Sequence, residues 1–220
     1  MIKAVIFDMD GVLIDAKEWH YVALNRALSL FGMEISRADH LTAFDGLPTK
    51  KKLEMLSITH GLPRELHGFI NQLKQLYTME IVSVRCKPTF AHEFLLSTLK
   101  SRGLKIGVAS NSIRQTVAAM MERAHLKDYL DVMLSNQDVT NAKPDPEIYV
   151  TAMARLAVDP EETLILEDNE NGIQAARASG AHVLVVRDVG DVNFSNVDRK
   201  ISAIRTMANA YSHSSSGRAA

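Results

Sequence analysis

Val5-Ile6-Phe7-Asp8-Met9-Asp10-Gly11-Val12, close to the amino terminus, joins an apolar run to two carboxylates and a glycine. The run from Ile2 to Phe7 is too short for a stable helix and is rich in β-forming side chains. It reads as a buried strand that Asp8 to Gly11 ends. Asp8 and Asp10 then stand at the carboxyl end of that strand, where open α/β sheets bind their ligands. Two carboxylates two residues apart repel each other at such a place unless a cation or a shared proton compensates. Taken alone, the pair also fits a solvated turn, since Asp and Gly are common turn formers.

Further along, Leu104 to Ala109, Leu164 to Leu166 and Val183 to Val186 repeat the short apolar pattern. Between the first two of these, Ile113, Val117, Met120, Met121 and Ala124 fall on one helical face. Strands alternating with helices predict a Rossmann-like α/β core, a parallel sheet covered on both sides. The interval 15–86 breaks the alternation. Tyr21, Leu24, Leu28 and Phe31 form one helical stripe, and Leu66, Phe69, Ile70, Leu73, Leu76 and Tyr77 form another. Lys50 to His60 is helix-like too, and Gly61-Leu62-Pro63 punctuates it. The expected organisation is a core of residues 1–14 and 87–211 with an inserted α-helical cap at 15–86. Residues 212–220, small and polar, read as a disordered tail.

The chain has 220 residues, with 25 basic and 26 acidic side chains, and is 46% hydrophobic. That is enough to bury a core, and the balanced charge argues against a general nucleic-acid binder. No apolar run approaches the roughly 18 residues of a membrane span. The first residues run into Asp8 and Asp10 rather than forming a signal peptide. Cys86, the one cysteine, leaves no intramolecular disulfide and no cysteine-built metal site. A cytoplasmic protein is the expectation.

Other strand ends carry chemistry as well. Ser110, Asn111 and Ser112 follow Leu104 to Ala109; Ser112 and Gln115 fit a capping box, but Ser110 is not needed for it. A hydroxyl with the N–H groups before a helix makes a phosphate cradle. Asp145-Pro146 predicts a helix start and leaves Lys143, two residues before Asp145, without a structural task. Glu167 and Asp168 close the strand Leu164 to Leu166. Each feature alone is weak; together they place carboxylates, a hydroxyl and a lysine on one edge of one sheet.

These motifs, in this order, resemble the haloacid dehalogenase superfamily, most closely its small phosphatases and β-phosphoglucomutase-like enzymes with an α-helical cap. The resemblance runs to about Val186. It implies that Asp8 is the nucleophile and forms an aspartyl-phosphate, and that Asp10 is the general acid and then the base. It implies that Mg²⁺ is held by the Asp8 carboxylate, the Asp10 backbone carbonyl and Asp168, with Glu167 behind them. Ser110, the Asn111 amide and Lys143 would hold the phosphoryl oxygens. An acid at Asp10 fits oxygen leaving groups and disfavours dehalogenation. The chain departs from the pattern at Ala16, where many relatives carry a hydroxyl, and at Thr49, aligned with the phosphate-holding arginine of the mutase branch. Candidate substrate contacts are His20, at the mouth of the cap, Thr49 and Lys50. Of Lys50, Lys51 and Lys52, two read as solvated. His60, His67, His92 and His125 lack metal-ligand spacing and read as surface residues.

The expected function is therefore a Mg²⁺-dependent phosphatase of a small phosphorylated metabolite, with no nucleic-acid or membrane partner. A hexose-phosphate mutase is the alternative among enzymes. A catalytically silent binding or regulatory domain is the alternative from another class. Neither the substrate nor the oligomeric state is legible.

Overall fold

The computed structural model describes residues 1–216. In chain order its elements are β1 (Ala4–Phe7), α1 (Lys17–Ser29), α2 (Arg37–Asp39), α3 (Thr49–His60), α4 (His67–Arg85), α5 (Phe90–Ser101), β2 (Lys105–Ala109), α6 (Arg114–Arg123), β3 (Val132–Leu134), α7 (Glu147–Leu156), β4 (Thr163–Glu167), α8 (Glu170–Ala178), β5 (His182–Val185) and α9 (Phe194–Ser216). A π-helical turn, His40–Phe44, continues α2. The strands form one parallel sheet in the order β3-β2-β1-β4-β5. β3 was not read from sequence: three residues are too few to show a period.

Both faces of β1 are buried, as a central parallel strand requires. Val5 and Phe7 belong to one apolar cluster with Leu95, Leu96 and Val117. Ala4 and Ile6 belong to the opposite one with Ile148, Tyr149 and Ala152. The helices α1, α3 and α4 bury a third cluster of their own around Leu24, Leu28, Leu53, Leu56 and Ile70. That separate cluster is what lets them form a layer over the sheet's edge. Gly61 ends α3 in the left-handed conformation, as the Gly-Leu-Pro punctuation predicts.

Three local expectations need correction. α6 is capped at Ile113, not Ser112, because the Ser112 hydroxyl donates to Asp10 instead. Phe69 and Leu76 are exposed, and the inward stripe of α4 is Ile70, Lys74, Thr78 and Val82. His92 is buried, its Nε2 3.0 Å from the Val189 carbonyl. The Asp145-Pro146 start holds in kind, with Asp145 Oδ1 accepting from the Glu147 N–H. α9 extends to Ser216, into the segment expected to be a disordered tail; residues 217–220 lie outside the described residues. Among the described residues no helix is long and apolar enough to cross a membrane.

Candidate active site

β1 lies at the point where the chain's strand order reverses, with β2 on one side and β4 on the other. Such a switch point opens a crevice at the carboxyl ends of the strands. Asp8 follows β1, Ser110 follows β2, Glu167 ends β4, and Lys143 reaches in from the loop between β3 and α7. The helical layer closes over them, leaving a cavity of about 150 Å³. Asp8, Asp10, Ser110, Asn111, Lys143 and Glu167 line it from the sheet side; His20, Thr49 and Lys50 line it from the helical side. Asp168 lies just behind this lining.

Lys143 is the hub of the deepest part. Its ammonium donates to Asp8 Oδ1 at 2.6 Å, to Glu167 Oε1 at 2.6 Å and to the Ala109 carbonyl at 2.8 Å, all buried. Those three acceptors use all three of its protons, which fixes its position. Tyr149 donates to the same Glu167 oxygen at 2.5 Å. Burial works against the charged form of Lys143, but Asp8 and Glu167 outweigh it and hold the lysine above its ordinary pKa. The Asp8 carboxyl is pushed well above the usual range, first by burial, then by Glu167, Asp168 and Asp10, with Lys143 opposing.

Asp8, Glu167 and Asp168 each present a carboxylate oxygen within 4.8 Å of the others. Oxygen donors of this kind suit a hard divalent cation. Their bonding separates them. Glu167 Oε1 is taken by Lys143 and Tyr149, and Oε2 accepts from the Asp168 N–H. The Asp168 carboxylate is buried; Oδ1 has no partner, and Oδ2 is paired with Lys17 Nζ at 2.6 Å. Burial lifts its pKa to about 6, Lys17 opposing. A buried carboxylate with one oxygen unpartnered, beside Asp8, fits a cation held by these two residues, with Glu167 outside it. Gly11 makes room for this arrangement. It has φ +92°, and a Cβ there would stand 2.0 Å from Asp168 Oδ2.

Asp10 has different partners. His20 Nε2 lies 3.1 Å from Oδ1, and Ser112 donates to Oδ2 at 2.9 Å. Lys74 Nζ lies 3.1 Å from His20 Nδ1. Burial, then Lys74, hold His20 below its ordinary value despite Asp10. The ring is therefore neutral at pH 7, with the Nε2–H donating to Asp10 and Nδ1 accepting from Lys74, a tautomer assigned from its partners. Burial alone would raise Asp10, yet His20, Ser112 and Lys74 together hold it below the usual carboxylate value. The two neighbouring aspartates are thus shifted in opposite directions.

The remaining predicted residues divide. Ser110 is buried, and its Oγ accepts from the Ser112 N–H. The Asn111 side chain is committed to protein: Nδ2 donates to the Gly46 carbonyl at 3.0 Å, and Oδ1 accepts from the Lys143 N–H. Thus only its backbone amide is left for a ligand. Lys50 and Lys51 are exposed, as read for two of the three lysines, whereas Lys52 is 7% exposed and lines the cavity. Sequence reasoning missed Lys17, Lys74, Tyr149 and the Ser112–Asp10 bond. Lys74 left one signal, a cation inside an i, i+4 stripe of otherwise uncharged residues.

The sequence pattern of the haloacid dehalogenase-like hydrolases matches residues 5–186. A phosphorylated carbohydrates phosphatase of Thermotoga maritima is 31% identical over 181 residues, covering 81% of this chain and 82% of that protein. The β-phosphoglucomutase of Bacillus subtilis is 30% identical over 186 residues, covering 81% and 80%. A crystal structure of β-phosphoglucomutase from Clostridium difficile matches with a TM-score of 0.81, covering 94% of this chain and 100% of that one. At 23% identity that last likeness speaks for the fold.

Proposed function

Since the chain belongs to the haloacid dehalogenase-like hydrolase family and is a phosphoric monoester hydrolase, we propose that it hydrolyses a small phosphorylated metabolite, a sugar phosphate or similar, through an aspartyl-phosphate at Asp8. One observation carries the reading. Two carboxylates of one strand end, Asp8 and Asp10, line one cavity with Lys143, whose ammonium donates to Asp8 Oδ1 at 2.6 Å. With two carboxylates at one site, one can attack phosphorus while the other moves the proton.

In the first step an Asp8 oxygen attacks phosphorus and the ester P–O bond breaks, while Asp10 gives a proton to the leaving oxygen. In the second step water attacks the same phosphorus, Asp10 takes its proton, and the Asp8–phosphorus bond breaks to release inorganic phosphate. Asp10 must therefore gain a proton before the first step, and the incoming phosphate dianion beside it raises its proton affinity. His20 and Ser112 keep its carboxylate aimed through both steps. Ser110 and the Asn111 backbone N–H, before α6, hold the phosphoryl oxygens, and the Lys143 ammonium, kept beside Asp8, neutralises charge as it shifts. Mg²⁺, which the Asp8 carboxylate, the Asp10 carbonyl and Asp168 would hold, adds charge neutralisation on the same oxygens.

The test is hydrolysis of p-nitrophenyl phosphate with Mg²⁺ and in excess chelator. Turnover that needs Mg²⁺ supports the reading, and undiminished turnover in chelator overturns the metal assignment. The mutase is the second reading, favoured by the buried Lys52 on the cavity wall, where the sequence alone offers Thr49 and flexible lysines. Incubation with β-glucose 1-phosphate and a trace of its bisphosphate separates the two. Phosphate release is expected; rapid glucose 6-phosphate formation would promote the mutase.

A further inference from the structure

Lys17 has no task in the chemistry above, and helix physics alone would not put a lysine there. It is the first residue of α1, and a cation at a helix N-terminus opposes the helix dipole. Ala16 before it makes no side-chain cap to the first turn. Lys17 instead lies against Gly11, where a Cβ would stand 2.6 Å from its Cε, and reaches two carboxylates on different parts of the molecule. Its ammonium is 2.6 Å from Asp168 Oδ2, after β4, and 3.8 Å from Asp45 Oδ2, on the loop before α3. Asp45 Oδ2 also accepts from Asn169 Nδ2 at 3.0 Å, so the carboxylate that faces Lys17 already touches the sheet edge.

We propose that Lys17 is a positioning residue that changes partner when the metal site fills: it leaves Asp168, pairs directly with Asp45, and so holds the 45–48 loop on the sheet edge. This rests on the metal reading of Asp8 and Asp168. An ammonium and a divalent cation cannot share the same buried carboxylate, because like charges in contact repel strongly there. The Asp168 side chain is wholly buried, whereas Lys17 is one-third exposed on a flexible stem, so the lysine is the partner that moves. Asp45 is the one other carboxylate within 4 Å of it among the described residues. A shift of about 1 Å turns that contact into a charge-assisted hydrogen bond. Gly46, Leu47 and Pro48 of the same loop line the cavity. Filling of the metal site thereby sets the cavity wall before substrate is bound.

Amide hydrogen exchange of the full chain, without substrate, decides this apart from turnover. Wild type, Lys17→Gln, Lys17→Arg, Asp45→Asn and the Lys17→Gln/Asp45→Asn double variant are each compared with and without Mg²⁺, at concentrations that calorimetry shows to be saturating. Asp45→Asn keeps an acceptor for Asn169 while removing the charge. In wild type Mg²⁺ should slow exchange across the 45–48 loop by about threefold or more, the worth of a partly exposed ion pair. The slowing should vanish in Lys17→Gln and in Asp45→Asn, fall no further in the double variant, and return in part in Lys17→Arg. Exchange in β1 and β4 should respond to Mg²⁺ alike in all five, which separates the loop contact from general stabilisation by the ion. No slowing in wild type, or slowing that persists in Lys17→Gln or Asp45→Asn, overturns the partner change. The Mg²⁺ titration itself reports on the metal reading, and hydrolysis of p-nitrophenyl phosphate reports on the phosphatase reading.

Discussion

Asp8 and Asp10 differ by two positions and by which neighbours the fold brings to them. Asp8 meets Lys143 and two further acids; Asp10 meets a neutral histidine and a serine hydroxyl. Asp8→Asn keeps the shape and the Lys143 contact but removes the nucleophile. We expect turnover to fall about a thousandfold or more with an unchanged circular dichroism spectrum; retention of a few per cent of activity would exclude covalent catalysis there. Lys17 is the other informative residue. Its ammonium stands against Asp168, 3.8 Å from Asp45 on the cap loop, so a cation arriving at Asp168 competes with it. Lys17→Gln should tighten Mg²⁺ binding by about three- to tenfold in calorimetry, a modest gain because Lys17 is one-third exposed. Unchanged or weaker affinity would show that Lys17 does not compete.

Among the elements, the loop between the π-helical turn and α3 is where helical layer and sheet edge meet. Asn111 Nδ2 bonds the Gly46 carbonyl, and Asn169 Nδ2 bonds Asp45 at 3.0 Å. Gly46 has φ +70°, and a Cβ there would lie 2.4 Å from Asn169 Oδ1. Gly46→Ala should therefore hold the loop away from Asn111 and Asn169. The expected outcome is a raised KM and faster hydrogen exchange across residues 45–48. Because the loop adds little to the core clusters, the global stability loss should be only about 1 kcal/mol. Unaltered exchange in this loop would mean that the contact is not what closes it.

For the molecule as a whole, the buried lysines are a liability in the free protein. Burial lowers Lys52 and Lys74 from 10.5 to about 8. Between pH 8 and 10.5 the unfolded chain then binds more protons than the folded one, so these groups make stability rise with pH across that window. Below pH 8 both stay charged and the full cost remains. Lys52→Met should thus be more stable than wild type at pH 7 by about 1–3 kcal/mol, and the gap should narrow as pH rises past 8. Denaturant melts at pH 7 and 9.5 measure it; a variant less stable than wild type at pH 7 would show that Lys52 supports the fold. The acidic cluster works the other way round. Added Mg²⁺ should raise the melting temperature, by about 2.7 kcal/mol of stability at a hundred times its dissociation constant, and chelator should reverse the shift.

Strand-and-helix alternation, the helical segments between the first two strands, the strand-end residues Asp8, Asp10, Ser110, Glu167 and Asp168, and Lys143 before a helix start were legible in the amino-acid order. Each is carried by a local pattern: an apolar run, a helical period, or a polar residue where a run stops. β3 was not legible, being shorter than any period, and neither was the task of Ser112, which satisfied a local capping rule that a carboxylate 102 residues away overrode. The burial of Lys52 was equally hidden, since a lysine on a helix reads as solvated until the helix is packed. Tertiary structure alone decided which charges share the cavity and which way each aspartate is shifted. Those quantities depend on distances between residues far apart in the chain, and no local pattern encodes them.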